Sequence, residues 1–140
     1  MSKKVVLAFS GGLDTSFCVP YLKNEHGYEV HTVMVNTGGF SAEEEKAIEE
    51  RALTLGAASH KNVNAVETYY SKGIKYLIYG NILKNATYPL SVSSERVFQA
   101  LEVLKHVKEL GAGAVAHGST GAGNDQVRFD IVFEILAPEV

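Results

Sequence analysis

The stretch Ser10-Gly11-Gly12-Leu13-Asp14-Thr15-Ser16 constrains this chain more than any other. An apolar run, Val5-Val6-Leu7-Ala8-Phe9, leads into it, and a helix-compatible run from Thr15 to Glu25 leads out. Strand, glycine turn and helix in that order present free backbone N–H groups to an anion. Adjacent glycines take backbone angles closed to other residues and leave no Cβ in the way of a bound phosphate. Ser10, Thr15 and Ser16 add hydroxyl donors at the same mouth. The positive end of the helix dipole favours an anion there by about 0.3–1 kcal/mol. The stretch therefore reads as a phosphate-binding loop. The plainer alternative is a turn into a helix N-capped by Asp14.

The loop is not of the commonest kinds. The chain has no G-x-x-x-x-G-K-[ST], and no G-x-G-x-x-G follows its first strand. The loop lacks a lysine, so charge neutralisation falls to backbone dipoles, a metal or residues elsewhere. The string Ser10-Gly11-Gly12-x-Asp14-Thr15 after a buried strand resembles the PP-loop of the ATP pyrophosphatase superfamily. That resemblance implies cleavage of ATP between its α and β phosphates, with the loop holding the departing pyrophosphate.

The chain after the loop alternates. Pro20 lies inside the first helical run, where proline costs about 3 kcal/mol, and predicts a kink or a late helix start. Glu29 to Val35 reads as a second strand, closed by Asn36-Thr37-Gly38-Gly39 on the side where ligands bind a parallel sheet. Ser41 and Glu44 form a capping-box signature for a helix ending at Gly56. The glutamates of that helix read as a solvated face, not a metal site. Ala57 to Val63 is a weak strand, short or near an edge because of His60 and Lys61. Asn64 then caps a helix through Ile78. Its tyrosines Tyr69, Tyr70, Tyr76 and Tyr79 read as packing against the sheet, in preference to a stacking platform.

Asn81 to Ser94 has no long periodic pattern. The clearest helix follows, with Val97, Leu101, Leu104, Val107 and Leu110 at three- and four-residue steps, ending at Gly111. Ala112 to Ala116 is a small-residue strand. A second glycine loop, His117 to Gln126, closes it, and Val127 to Leu136 is a last helix. His117 reads as a hydrogen-bonded loop histidine more than as an acid–base group.

The order β-α-β-α-β-α-α-β-α predicts an α/β fold, a doubly wound parallel sheet with helices on both faces, Rossmann-like. Its ligands belong at the carboxyl ends of the strands. The first and fourth strands can be neighbours there, which would bring the two glycine loops together. The 140 residues form one domain, with neither a repeat nor a linker. A net charge of −3 with no basic run argues against broad nucleic-acid binding. No apolar run reaches the ~20 residues of a membrane span. Cys18, the single cysteine, permits no intrachain disulfide and fits a cytoplasmic setting; it reads as a small apolar residue of the first helix.

Three stretches match a known family in order and spacing: Ala8 to Ser16, Tyr88-Pro89-Leu90, and His117 to Phe129. They resemble argininosuccinate synthase, whose fold is that of the adenine nucleotide alpha hydrolases. The resemblance covers the whole chain but only about the first third of that enzyme. It implies residues 1–140 as the PP-loop domain, truncated before the synthetase and oligomerisation parts of a cytoplasmic homotetramer. It further implies a ligase that joins citrulline to aspartate in arginine biosynthesis, using ATP and Mg²⁺ and releasing AMP and pyrophosphate. The citrulline ureido oxygen attacks the α-phosphorus, and the aspartate amine then displaces AMP.

By this resemblance Ala8, Phe9, Ser10, Gly11, Gly12, Leu13, Asp14, Thr15 and Ser16 hold ATP, with Val35 and Gly118. Tyr88, Ser93, Asn124 and Arg128 contact citrulline, while Thr120, Asn124 and Asp125 contact aspartate. No metal ligand and no catalytic side chain is assigned. The chain departs from the family in three places. The run Val92-Ser93-Ser94-Glu95-Arg96-Val97 differs from the usual T-S-L-A-R-P-like continuation, which leaves a modified citrulline as an alternative acceptor. Ala122 stands where the family often has lysine, and the turn Asn36-Thr37-Gly38-Gly39 is unusual. The rival readings are another PP-loop ligase, such as an amide synthetase or a tRNA-thiolating enzyme, and a nucleotide-binding module without catalysis. The latter has no need of the loop at Gly118–Asp125.

Overall fold

The structure, a computed structural model, describes residues 3–140. Strand β1 (Lys4–Ala8) is followed by α1 (Leu13–Asn24), β2 (Glu29–Asn36), α2 (Ala42–Thr54) and β3 (Ser59–Asn64). A helical segment then runs as α3 (Val66–Tyr69), a π-helical turn (Tyr70–Ile74) and α4 (Lys75–Tyr79). Strands β4 (Leu83–Lys84) and β5 (Tyr88–Pro89) precede the long α5 (Ser91–Leu110), β6 (Ala114–His117) and α6 (Asn124–Leu136).

The main sheet has the order β3-β2-β1-β6, with all neighbours parallel. The chain moves outward from β1 to β3, then returns to the far side of β1 for β6. Connections therefore leave β1 and β6 in opposite directions, which opens a crevice at their carboxyl ends. The expected adjacency of the first and last strands is present, in the register Ala8 opposite His117. β3 lies at the edge, as His60 and Lys61 predicted.

Alternation along β1 divides the core in two. Val5, Leu7 and Phe9 point to the layer that also holds Val19 of α1 and Ile48 and Ala52 of α2. Val6 points the other way, into a layer with Val103, Leu104 and Val107 of α5 and Phe129 and Phe133 of α6. Each such side chain contributes about 1.5–3 kcal/mol when fully buried. With helices on both faces the sheet is the doubly wound α/β arrangement the alternation implied.

Several elements differ from the sequence expectation. α1 begins at Leu13 despite Pro20, so the late start does not occur. Thr15 and Val19 are buried on either side of Ser16, and their packing holds the helix where a free carbonyl opposes it. Asn64 Oδ1 accepts from the Val66 N–H at 3.1 Å, although Ala65 is the N-cap residue. Of the four tyrosines read as packed, only Tyr69 is buried, while Tyr70, Tyr76 and Tyr79 are exposed. The aperiodic stretch 81–94 contains a small antiparallel ribbon, β4 with β5. It turns through the three residues Asn85, Ala86 and Thr87, the first two at positive φ. The helix after it starts at Ser91, earlier than its apolar periodicity shows.

On α2 the expected capping box forms, and Glu43, Glu44 and Glu50 are exposed. Glu45 instead accepts from Asn36 Nδ2 at 2.7 Å. Cys18 packs beside the first core layer, and burial pushes its thiol pKa up, with the Asp14 charge adding to the shift. Among the described residues no helix is long and apolar enough to cross a membrane.

Candidate functional site

The first glycine loop leaves β1 in two steps. Gly11 takes φ +73°, and an added Cβ there would stand 2.9 Å from Ile48 Cγ1. Its carbonyl accepts from Arg51 Nη1 at 2.5 Å, so α2 anchors that side of the loop. Gly12 then acts as N-cap of α1 with no side-chain cap, and the first-turn amides of the helix lack an internal partner. The loop hydroxyls bond to one another loosely. Ser10 Oγ lies 3.3 Å from Thr15 Oγ1 and accepts from Gly12 N–H at 3.4 Å. Bonds this long are weak, so a better acceptor displaces them at little cost. Ser16 Oγ is buried without a partner.

The second glycine loop comes against the first at one point. An added Cβ on Gly118 would lie 2.8 Å from Thr15 Cγ2 and 3.2 Å from Thr15 N. Only a glycine permits this approach. The loop continues into α6, whose N-cap Gly123 also supplies no side-chain cap. Two helix starts with open amides therefore flank the same crevice.

Two cavities occupy it. The first, of about 430 Å³, is lined by Ala8, Phe9, Ser10, Gly12, Leu13, Asp14, Thr15, Val35 and Gly118 among the residues expected to hold ATP. Gly11 and Ser16 do not line it. Glu95, Arg96 and Gln99 of α5 do, and the sequence reading assigned none of them. The second cavity, of about 620 Å³, gathers Tyr88, Ser93, Thr120, Asn124, Asp125 and Arg128, every residue expected at the two amino acids. It also takes in Lys84, Val92 and Gln126. Both cavities share Asp14, Gly118, Ser119 and Asp125, so they adjoin beside the loop–loop contact.

The wall between them is charged. Asp125 accepts from Arg96 Nε at 3.1 Å and from Arg128 Nη1 at 2.8 Å. Arg128 Nη2 donates to Ser93 Oγ at 3.0 Å. Arg96 also meets Glu95 at 3.3 Å and Gln99 at 3.1 Å. Glu95 in turn accepts from Thr37 Oγ1 at 2.5 Å. The turn at Thr37 and the start of α5 at Glu95 thus touch each other. Arg96 carries no local sequence signal, because its partner Asp125 lies on another helix.

His117 is the hydrogen-bonded histidine expected. The partner not legible in sequence is Asp130, whose Oδ1 lies 2.8 Å from Nε2. The hydrogen bond from His117 holds the Asp130 carboxyl below the usual carboxylate range, and a second bond from Gln126 adds to it. Among the described residues no three His, Cys, Asp or Glu side chains converge as a metal-binding set.

The chain matches known proteins in sequence and in fold. The family model described as "Arginosuccinate synthase N-terminal HUP domain" matches residues 4–140. An argininosuccinate synthase of Xanthomonas campestris pv. campestris is 49% identical over 143 residues, covering 98% of this chain and 36% of the relative. One from Saccharolobus solfataricus is 44% identical over 137 residues, covering 98% of this chain and 34% of the relative. The chain spans about a third of the length of these curated relatives. A crystal structure described as a predicted subunit of a tRNA methyltransferase from Methanocaldococcus jannaschii gives a TM-score of 0.56 at 24% identity. It covers 86% of this chain and 55% of that one, a likeness that speaks to the fold alone. On the family match and the relatives together, this chain belongs to the argininosuccinate synthase family, in the region of its N-terminal HUP domain.

Proposed function

We propose that residues 1–140 act as the nucleotide-binding domain of an AMP-forming ligase that condenses citrulline, or a modified citrulline, with aspartate. The observation that carries this reading is the pair of adjoining cavities. One opens over the first glycine loop, and the other gathers the residues expected at the two amino acids. A ligase of this class must hold an acceptor oxygen against the α-phosphorus while pyrophosphate departs. Cavities that share Asp14, Gly118, Ser119 and Asp125 suit that task.

The chain's own residues divide the work by charge. The first-turn amides of α1 and the hydroxyls of Ser10 and Thr15 offer donors to the departing pyrophosphate. Donors fixed before the reaction stabilise charge as it develops without reorganising. Arg128, tied to Ser93, faces the second cavity with a guanidinium suited to an amino-acid carboxylate. Asn124 and Thr120 add neutral polar groups beside it. Holding two substrates in line contributes about 7–11 kcal/mol to such a reaction, and no protein nucleophile is required. Mg²⁺ belongs to this chemistry as a companion of the triphosphate, the usual mode for that ion.

A tRNA-thiolating enzyme would call for a reactive cysteine. Cys18, with its thiol pushed up by burial, does not suit that role.

Gly12 is the place to test the nucleotide reading. Its φ of −74° is open to any residue, and an added Cβ meets only Ser10 Oγ, at 3.4 Å. Gly12→Val should therefore keep the fold yet crowd the open amides. Loss of one charge-assisted hydrogen bond, about 1.5–3 kcal/mol, predicts ATP affinity falling about tenfold to a hundredfold. Calorimetry with MgATP measures it. Unchanged affinity in a folded variant would sink the assignment.

A further inference from the structure

The second glycine loop is held from behind by one carboxylate. Asp130, on α6, accepts from His117 Nε2 through Oδ1 at 2.8 Å and from Gln126 Nε2 through Oδ2 at 2.5 Å. The far ends of both partners turn to the loop's main chain. His117 Nδ1 accepts from the Ser119 N–H at 3.2 Å, and Gln126 Oε1 accepts from the Ala122 N–H at 3.0 Å. Ala122 sits at φ +64°, a conformation disfavoured for alanine, and this bond ties it down.

The sense of every bond follows from chemistry. To accept from an amide, Nδ1 must carry a lone pair, so the proton of the neutral ring is on Nε2 and goes to Asp130. To accept from Ala122, Gln126 must turn its oxygen to the loop, so its NH₂ also goes to Asp130. Both chains of donors run inward and end on the same carboxylate. The site needs a group that accepts on both sides, and an ionised carboxyl is such a group. Packing fixes the ring as well, since His117 stacks on Phe129 at 5.3 Å between centroids.

We infer that Asp130 is a positioning residue: through His117 and Gln126 its carboxylate sets the shape of the loop from Gly118 to Gly123. That loop brings Gly118 against Thr15 and supplies Gly118 and Ser119 to both cavities. The loop's shape therefore fixes how the two cavities meet. The consequence for ligands rests on the proposed function, whereas the consequence for the loop does not.

An amide at position 130 presents one acceptor and one donor, so Asp130→Asn can serve only one of the two chains. If the new NH₂ faces Gln126, the glutamine flips and loses the Ala122 N–H. If it faces His117, the ring proton moves to Nδ1 and the Ser119 N–H is lost. Gln126→Glu in the native background sets two carboxylates against each other and frees Ala122. Combining the two substitutions restores every pairing with one link reversed. The amide NH₂ now at position 130 donates to the carboxylate now at position 126, whose other oxygen accepts from Ala122.

Amide hydrogen exchange of Ser119 and Ala122 and long-range ¹H–¹⁵N spectra of the His117 ring read the result in this chain. They are recorded at about pH 8, above the ordinary imidazole range. Each single variant should lose protection about fivefold to tenfold at one of the two amides, and the double variant should regain both. Asp130→Asn that leaves both amides protected and the ring spectrum unchanged overturns the proposal. So does a double variant no better protected than the singles. A parallel titration with MgATP separates the two readings. The expected amide pattern in a protein that binds no ATP supports the positioning role and sinks the nucleotide assignment.

Discussion

α1 and α2 cover the same face of the sheet, yet their first turns are built in opposite ways. At the start of α2, Ser41 Oγ accepts from the Glu44 N–H at 3.3 Å, and Glu44 Oε2 accepts from the Ser41 N–H at 2.8 Å. The box is closed, and neither residue lines either cavity. At the start of α1, Gly12 offers no side chain at all, and the first cavity opens beside it. α6 begins on Gly123 in the same open fashion. A helix start that satisfies its own donors has none left for a ligand. The open starts, both capped by glycine, forgo a few tenths of a kcal/mol of capping each and keep their amides and dipole for an anion. The contrast separates stability from binding along one face of one small protein.

The largest expected effect breaks the support behind the open start. Gly11→Val places a branched residue at φ +73° and drives its Cβ to 2.9 Å from Ile48. The backbone strain and overpacking together should cost about 2–4 kcal/mol, read as a fall in urea midpoint. A smaller loss would show that α2 yields to the loop and does not brace it.

The closed start should respond next. Ser41→Ala removes the side-chain cap and should cost about 1 kcal/mol while leaving MgATP affinity unchanged. An altered affinity would tie α2 to the ligand site after all. The same box makes a pH signature. The Ser41 backbone N–H, then the Ser41 hydroxyl, lower the Glu44 pKa from its ordinary 4.5. A carboxyl depressed in the folded state contributes stability above its unfolded pKa and loses it as pH falls through the folded value. Glu44→Gln should therefore flatten the decline of stability below about pH 4.5. Denaturant titrations of the two proteins across that range measure it, and parallel curves would remove Glu44 as a source of the decline.

The smallest effect sharpens the contrast most. Gly12→Asp gives α1 the cap it lacks. Replacing a glycine cap by aspartate should raise stability by only a few tenths of a kcal/mol. The same carboxylate would occupy the first-turn amides and repel a phosphate, so ATP affinity should fall as stability rises. Thermal denaturation and calorimetry on one sample test both signs. Stability and affinity moving together would show that the open start is not kept for a ligand.

The features that the sequence determined by itself are local. The capping box at Ser41 rests on contacts within a few residues, and the glycine turn after β1 is marked by its own adjacent glycines, so residue type alone nearly decides both. The order of strands and helices was equally legible, since apolar periodicity and glycine punctuation are read along the chain. Only the tertiary structure joined Arg96 to Asp125, 29 residues on, and His117 to Asp130 across a loop. Those pairs exist because β6 returns beside β1 and α6 packs on α5, and no local pattern encodes which side chains then face each other. The tyrosines show the same limit within a single helical segment. Their spacing fits one helix face, but the π-helical turn at Tyr70–Ile74 breaks the phase. An extra residue in a turn rotates the rest of the helix by about 100°, so Tyr69 faces the core while Tyr76 and Tyr79 face away.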